Sequence, residues 1–250
     1  EVIVAGGSRV DPGQTASAFA DEVMISGGGD PSWLREWLRA DSRVADQWEK
    51  ALADSGKLTG YHLANAVLDS LAGGSLVLGN SNPVRDADLA PIRDTAGGAV
   101  YANRGLGGID GTLATAIGIA LRAGTPTTLL CGDLSFLHDS NALAIGPGEP
   151  RPDLRIVVAD DHGGSIFATL EYGQPRFAAV FERVFATSVP TDLVALAQSH
   201  GIPACRTQGL PEARRLLAEP CQGIEVLVVE VDRSARAQLT AQAAVIAESL

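Results

Sequence analysis

Lysine is almost missing from this sequence: of 19 basic residues only Lys50 and Lys57 are not arginine, and against 30 acidic residues they leave a formal charge of −11. A chain with that balance repels a phosphate backbone, which excludes general nucleic-acid binding. Cysteine is scarce too. Cys131, Cys205 and Cys221 are too few and too scattered for a disulfide framework or a zinc site, so a reducing, cytoplasmic compartment is expected. No apolar run approaches the roughly 20 residues that cross a bilayer, and no signal peptide opens the chain, so no membrane partner is expected. There is neither an internal repeat nor a low-complexity tract. What remains is 46% hydrophobic and 20% charged, which is the composition of a folded globular protein. A chain of this size buries roughly 70–75% of its unfolded surface, as one large domain or two modest ones.

The sequence opens Glu1-Val2-Ile3-Val4-Ala5-Gly6-Gly7, a strand already under way with no initiator Met. It is read as the carboxyl part of a longer protein. Apolar runs at 1–5 and 22–26, each followed by glycines, read as the last strands of a preceding α/β domain ending near residue 28. Asp30-Pro31-Ser32 then starts a helix, with Pro in the first turn where its missing N–H costs nothing. Trp33, Leu34, Trp37, Leu38, Val44 and Trp48 recur at helical spacing over 32–53, and this stripe is read as helix packing, with a break near Ala40-Asp41-Ser42. A second helix over 59–71 takes Thr59 as its cap.

From residue 74 strands and helices alternate. Strand-length apolar runs fall at 75–79, 98–102, 127–131, 154–159, 202–206 and 224–231. Helical stretches lie between them at about 83–90, 109–123, 135–145, 164–170, 190–200 and 211–219, with a last one from about 233. Thr128-Leu129-Leu130-Cys131, Ile156-Val157-Val158-Ala159 and Val226-Leu227-Val228-Val229 are continuously apolar rather than alternating, the pattern of strands covered on both faces. The expected fold is therefore α/β: a doubly wound, six-stranded parallel sheet flanked by helices over residues 29–250, with right-handed crossovers.

Ligands of such sheets bind at the carboxyl ends of the strands. Just past the apolar runs stand Gly79-Asn80-Ser81, Asn103-Arg104-Gly105, Gly132-Asp133-Leu134-Ser135 and Asp160-Asp161-His162-Gly163-Gly164. Asp133 ends one strand and opens a helix whose N–H groups favour an anion. Asp161 ends another before two glycines that permit a tight turn. Mg²⁺ takes oxygens, commonly one or two carboxylates with phosphate and water. Two Asp side chains, one backbone carbonyl and a diphosphate would complete its shell. The alternative for each residue alone is a helix cap at Asp133 and a solvated strand end at Asp161. His138 and His162 read as helix-surface and turn residues, His62 and His200 have no partners in sequence, and Cys131 reads as a small apolar filler.

Asp161 follows Asp133 by 28 positions, with Gly132 before the first and Gly163 after the second. That spacing resembles the Gly-Asp…Asn cofactor motif of thiamine diphosphate enzymes. Neighbouring sequence narrows the resemblance: Asn103-Arg104-Gly105-Leu106-Gly107-Gly108-Ile109-Asp110-Gly111, Asp139-Ser140-Asn141-Ala142-Leu143 and Gly163-Gly164-Ser165-Ile166-Phe167 are similar to the 2-succinyl-5-enolpyruvyl-6-hydroxy-3-cyclohexene-1-carboxylate synthase (MenD) family of menaquinone biosynthesis, over about residues 55–232. The resemblance implies thiamine diphosphate and Mg²⁺ or Mn²⁺ as cofactors, with the metal on Asp133, Asp161 and the Gly163 carbonyl. It implies cofactor contacts at Ile109, Gly132, Asp133, Leu134, Ser135, Asp161, Gly163, Gly164 and Ile166, with Ile109 as the apolar wedge that bends the cofactor. It implies substrate contacts at Asn80, Ser81, Arg85, Arg104, Ile166, Phe167 and Leu170, with Ser81 and Arg85 on one helix face. The implied reaction is decarboxylation of 2-oxoglutarate and conjugate addition of the succinyl unit to isochorismate, in at least a homodimer. The family's catalytic Glu lies in an amino-terminal pyrimidine-binding domain that this sequence does not span, so no catalytic residue is assigned here and an isolated piece is expected to be inactive. The family's usual Asn is replaced by Asp161. Two other readings stay open: a different thiamine diphosphate carboligase or decarboxylase of the acetolactate-synthase kind, and a cofactor-binding piece without turnover.

Overall fold

The computed structural model describes residues 3–5, 16–22, 24, 28–91 and 98–248. The chain folds as two compact units, residues 1–42 and 43–250. In the first, β1 (Ile3–Ala5) and β2 (Ala18–Ala20) pair in parallel, Ile3 opposite Ala18. The apolar run expected as a strand at 22–26 lies largely outside the described residues, and the strand found nearby is β2.

Helix α1 (Pro31–Asp54) is continuous, which corrects the expected break at Ala40-Asp41-Ser42. Asp and Ser cost a helix interior only tenths of a kcal/mol each, and neither Gly nor Pro is present there to stop it. The tryptophan stripe is also not one packing face. Trp48 and Leu52 are buried, with Trp48 edge-on to the Tyr61 ring at 5.1 Å, whereas Trp33 and Trp37 stand 62% and 60% exposed, 5.9 Å from each other.

The second unit continues through α2 (Gly60–Asp69), β3 (Ser75–Leu78), α3 (Asn82–Asp88), β4 (Val100–Ala102), α4 (Thr112–Ala123), β5 (Thr127–Gly132), α5 (Asp133–His138) and β6 (Leu154–Asp160). After a run of short turns come α6 (Ala178–Phe181), α7 (Leu193–Ser199), β7 (Ala204–Thr207), α8 (Leu210–Leu217), β8 (Ile224–Glu230) and α9 (Arg236–Glu248). The six strands form one all-parallel sheet in the order β4-β3-β5-β6-β8-β7. The expected doubly wound fold is therefore present.

The unbroken apolar runs are explained by two cores, one per sheet face. Leu129, Cys131, Ile156, Val158, Val226 and Val228 point to the side of Leu113, Ala116, Phe136 and Leu193. Their neighbours Leu130, Val157, Leu227 and Val229 point the other way, onto Leu63, Val67, Ala213 and Leu217. Alternate residues face opposite sides of a strand, so a strand with helices on both sides has no polar face. Each such aliphatic side chain contributes about 1.5–3 kcal/mol on leaving water.

Chain order reverses between β3 and β5: the chain leaves β3 for β4 at one edge, then returns to β5 on the other side of β3. Such a switch point opens a crevice beyond the carboxyl ends of the two strands. The stretches expected as α-helix at 135–145 and 164–170 are shorter and tighter. The first divides into α5 and a 3₁₀ turn at Ser140–Leu143, and the second is a 3₁₀ turn at Ser165–Thr169. Three-residue 3₁₀ turns at Glu171–Gly173 and Pro175–Phe177, and a π turn at Glu182–Ala186, follow where no element was expected.

Candidate functional site

A cavity of about 480 Å³ opens at the carboxyl rim of the sheet. Its lining includes every residue expected as a cofactor, metal or substrate contact: Asn80, Ser81, Arg85, Arg104, Ile109, Gly132, Asp133, Leu134, Ser135, Asp161, Gly163, Gly164, Ile166, Phe167 and Leu170. They come from the ends of β3, β4, β5 and β6 and the segments that follow them, α3 for Arg85 and the 3₁₀ turn at Ser165–Thr169 for Ile166 and Phe167.

The acidic pair sits at the centre. Strands β5 and β6 are neighbours, Gly132 opposite Ala159, so Asp133 and Asp161 leave the sheet side by side, with adjacent strands about 4.8 Å apart. Burial first, and then the neighbouring charge of Asp161, push the Asp133 carboxyl up to about 7, against the opposing N–H groups of Leu134 and Gly163. Asp161 is likewise pushed up to about 6 by burial, opposed first by a short hydrogen bond from Ser165 Oγ and then by the charges of Arg236 and Arg233. Ser165 Oγ in turn accepts from Asn82 Nδ2 at 2.7 Å, so the Asp161 carboxylate is held by a buried polar chain. Two carboxylates kept close and dry repel one another unless a cation or protons lie between them. Among the described residues no three His, Cys, Asp or Glu side chains converge, so a divalent ion here needs oxygens beyond side chains. Those carboxylates, a backbone carbonyl and ligand oxygens are the donor set Mg²⁺ accepts, and the residues present fit that requirement.

The turn carrying Gly163 is tightly constrained. Gly163 has φ +128°, and a Cβ there would meet the Ala186 carbonyl at 2.5 Å. Gly164 N–H donates to that same carbonyl at 2.6 Å. His162, at φ +60°, lies within 3.3 Å of both Asp160 and Glu230. Asp160 also pairs with Arg206 at 2.6 Å. His162 is thus the turn residue expected, pinned from both sides.

On the β3–β4 flank the cations are placed by backbone and amide contacts. Arg104 Nη1 donates to Asn80 Oδ1 at 2.9 Å, and Asn80 Nδ2 donates to the Gly108 carbonyl at 2.7 Å. Ser81 does not lie on the helix face expected of it. It precedes α3 with φ 72°, ψ −129°, and meets Arg85 through its carbonyl, which accepts from Arg85 Nη1 at 2.6 Å. Such a non-glycine conformation costs about 1–3 kcal/mol and persists only where surroundings enforce it. Ile109 likewise lies outside the helix expected to begin there. Gly111 takes φ +67°, and α4 starts at Thr112. The cap of α4 is remote: Asp139 accepts from the Leu113 and Ala114 N–H groups at 2.6 and 3.1 Å.

Several lining residues were missed in the sequence: Thr59, Gly60, Asn82, Asp86, Arg233 and Arg236. Asn82 opens α3, one residue before the helical stretch expected from about 83. Arg233 could have been found, because the rule that directs attention past β5 and β6 applies equally past β8.

The family described as thiamine pyrophosphate enzyme, C-terminal TPP binding domain, matches residues 89–231. The chain is 44% identical over 242 residues to a 2-succinyl-5-enolpyruvyl-6-hydroxy-3-cyclohexene-1-carboxylate synthase of a Nocardioides species, covering 94% of this chain and 44% of that protein. Synthases of the same name from Nocardia farcinica and Mycolicibacterium smegmatis are 47% and 42% identical, covering 88% and 92% of this chain and 40% and 42% of theirs. The chain thus spans less than half the length of these curated relatives. Among solved structures, benzoylformate decarboxylase from Polynucleobacter necessarius superposes with a TM-score of 0.55 at 20% identity, over 70% of this chain and 33% of that one, a likeness of fold. With the matched segment running from the end of α3 to just past β8, the chain belongs to the thiamine pyrophosphate enzymes, as their C-terminal TPP-binding domain.

Proposed function

We propose that this chain is the diphosphate- and metal-binding part of a 2-succinyl-5-enolpyruvyl-6-hydroxy-3-cyclohexene-1-carboxylate synthase, acting on 2-oxoglutarate and isochorismate in menaquinone biosynthesis. The observation that carries the reading is the pair of buried carboxylates, Asp133 and Asp161, leaving adjacent strands into one cavity. The names borne by the relatives support the substrate assignment.

Bound thiamine diphosphate supplies the nucleophilic carbon that lets a 2-oxoacid lose carbon dioxide and pass its remaining acyl unit to an acceptor. The chain's own residues bind and orient. Asp133, Asp161 and the Gly163 carbonyl hold Mg²⁺ or Mn²⁺. Ser135, buried on the first turn of α5, faces the diphosphate with Gly132, Leu134 and Gly164. Ile109 is the apolar prop beneath the cofactor. Arg85 and Arg104, positioned by Ser81 and Asn80, present forked donors to the carboxylates of the substrates. Ile166, Phe167 and Leu170 form an apolar wall that keeps water from the reacting carbons.

The complete site takes its pyrimidine-activating Glu from an amino-terminal domain, across a homodimer or homotetramer, and residues 1–28 are the tail of the domain between. The enzyme works in the cytoplasm. Among the described residues no helix is long and apolar enough to cross a membrane.

In the full-length protein, Asp133→Ala is expected to abolish Mg²⁺-dependent thiamine diphosphate binding, measured by calorimetry. Retained affinity would overturn the reading. Assay of isochorismate against pyruvate as acceptor separates it from an acetolactate-synthase-like activity, whose acceptor brings one carboxylate and needs fewer cations beside it.

A further inference from the structure

Three buried side-chain polar atoms have no hydrogen-bond partner among the described residues: Trp48 Nε1, Asn65 Oδ1 and Arg233 Nη1. Only Arg233 belongs to the lining of the cavity. Its other terminal nitrogen, Nη2, donates to Glu182 Oε1 at 2.7 Å, which fixes the guanidinium from one side and leaves Nη1 uncommitted. Nearby Arg236 is different. It is occupied by buried Asp86 at 2.5 Å and lies 4.8 Å above the Tyr61 ring, so its charge is already matched.

Sheet order gives Arg233 its place. It follows β8, next to β6 and therefore next to Asp161, whereas Arg85 and Arg104 follow β3 and β4 on the other side of the acidic pair. The charge of Arg233 is felt at the Asp161 carboxylate. A buried guanidinium nitrogen without an acceptor costs free energy until an anion meets it. The position is wrong for a group read by Arg85 and Arg104 across the site, and right for the end of an anion whose middle is gripped between Asp133 and Asp161 through a cation.

We propose that Arg233 is a further anion-binding residue of this cavity, donating Nη1 to the terminal phosphoryl group of the diphosphate. The inference rests on the cofactor reading given above. It gives the Glu182 pair a purpose: the carboxylate holds the fork in place without reaching into the cavity.

The test uses the full-length protein and two probes, Mg²⁺ with thiamine diphosphate and Mg²⁺ with inorganic pyrophosphate, both read by calorimetry. Arg233→Gln is expected to weaken both by a similar factor, about tenfold to a hundredfold, as expected for loss of a charge-assisted hydrogen bond. Unchanged pyrophosphate affinity in a folded variant overturns the inference. So does a raised KM for the 2-oxoacid with cofactor affinity intact, which would assign Arg233 to a substrate carboxylate. If the variant does not fold, wild-type protein decides: Mg²⁺ with pyrophosphate, but not Mg²⁺ alone, is expected to shield Arg233 from an arginine-specific dicarbonyl reagent, and equal labelling overturns the proposal. Asp133→Ala separates the two levels. Pyrophosphate binding by the wild type that survives in Asp133→Ala sinks the cofactor reading itself, whereas binding lost there and kept in Arg233→Gln sinks only the role of Arg233.

Discussion

At the residue scale the site is governed by two carboxylates whose ionisation burial makes costly. In the metal-free protein both Asp133 and Asp161 hold protons more tightly than a free carboxyl, up to about 7 and about 6. A raised folded-state value means stability that is full below about pH 4 and lost as the pH climbs through 6 and 7. A divalent ion needs the ionised forms, so its affinity moves oppositely, rising from pH 5 to pH 8 with release of protons. Calorimetry near pH 6 in two buffers of different ionisation enthalpy is expected to show that release, and Asp133→Asn to reduce it. The cationic flank makes a separate prediction. Arg104→Gln is expected to raise the KM for the dicarboxylic 2-oxoacid by about tenfold or more, the loss of one charged hydrogen bond. Thiamine diphosphate affinity should stay within about twofold, since Arg104 follows β4, away from the acidic pair.

Secondary-structure elements are where sequence and structure diverge. The strands were legible because their runs are apolar on both faces, and β5, β6 and β8 differ from expectation by at most a residue at either end. Their carboxyl ends were legible for the same reason, and with them Asp133, Asp161, Asn80 and Arg104. Helix starts were not. The helix expected from 109 begins only at Thr112: the Asp110-Gly111 turn dipeptide was the local sign of that later start, whereas the cap of α4 comes from Asp139, far along the chain. The stretch 171–189 carries Tyr172, Phe177, Phe181 and Phe185 packed on one another, with Tyr172 and Phe185 stacked at 4.4 Å; the three phenylalanines recur every four residues, a helical spacing that marks the turns at 178–186, and only Tyr172 departs from it. Its backbone closes over Gly163, a fit that only three-dimensional proximity reveals. Two changes test these elements. Asp139→Ala is expected to cost about 1–2 kcal/mol in denaturant unfolding, as for other helix caps. Gly163→Ala must place a Cβ against the Ala186 carbonyl and is expected to destabilise by about 1–3 kcal/mol. It should also weaken metal binding, because the turn has to move.

For the whole molecule the expectation concerns completeness. The 250-residue chain carries the acidic pair and the arginines but no group assigned to activate the pyrimidine, so alone it is expected to bind Mg²⁺ with thiamine diphosphate weakly and to give no carboligation product. Turnover by the isolated chain, followed by carbon dioxide release and product chromatography, would contradict the division of labour proposed for it.

Because every strand of the six-stranded sheet runs in one direction, the segments after β3, β4, β5, β6 and β8 all open onto one shared rim, above the hydrophobic layers that hold the sheet. Anchoring the ion and meeting the substrate carboxylates through Arg104 are therefore proposed for different segments, after β5 and β6 for the one and after β4 for the other. Exchanging the loop after β4 could redirect substrate choice while the ion's anchorage, two strands away, stays as it was.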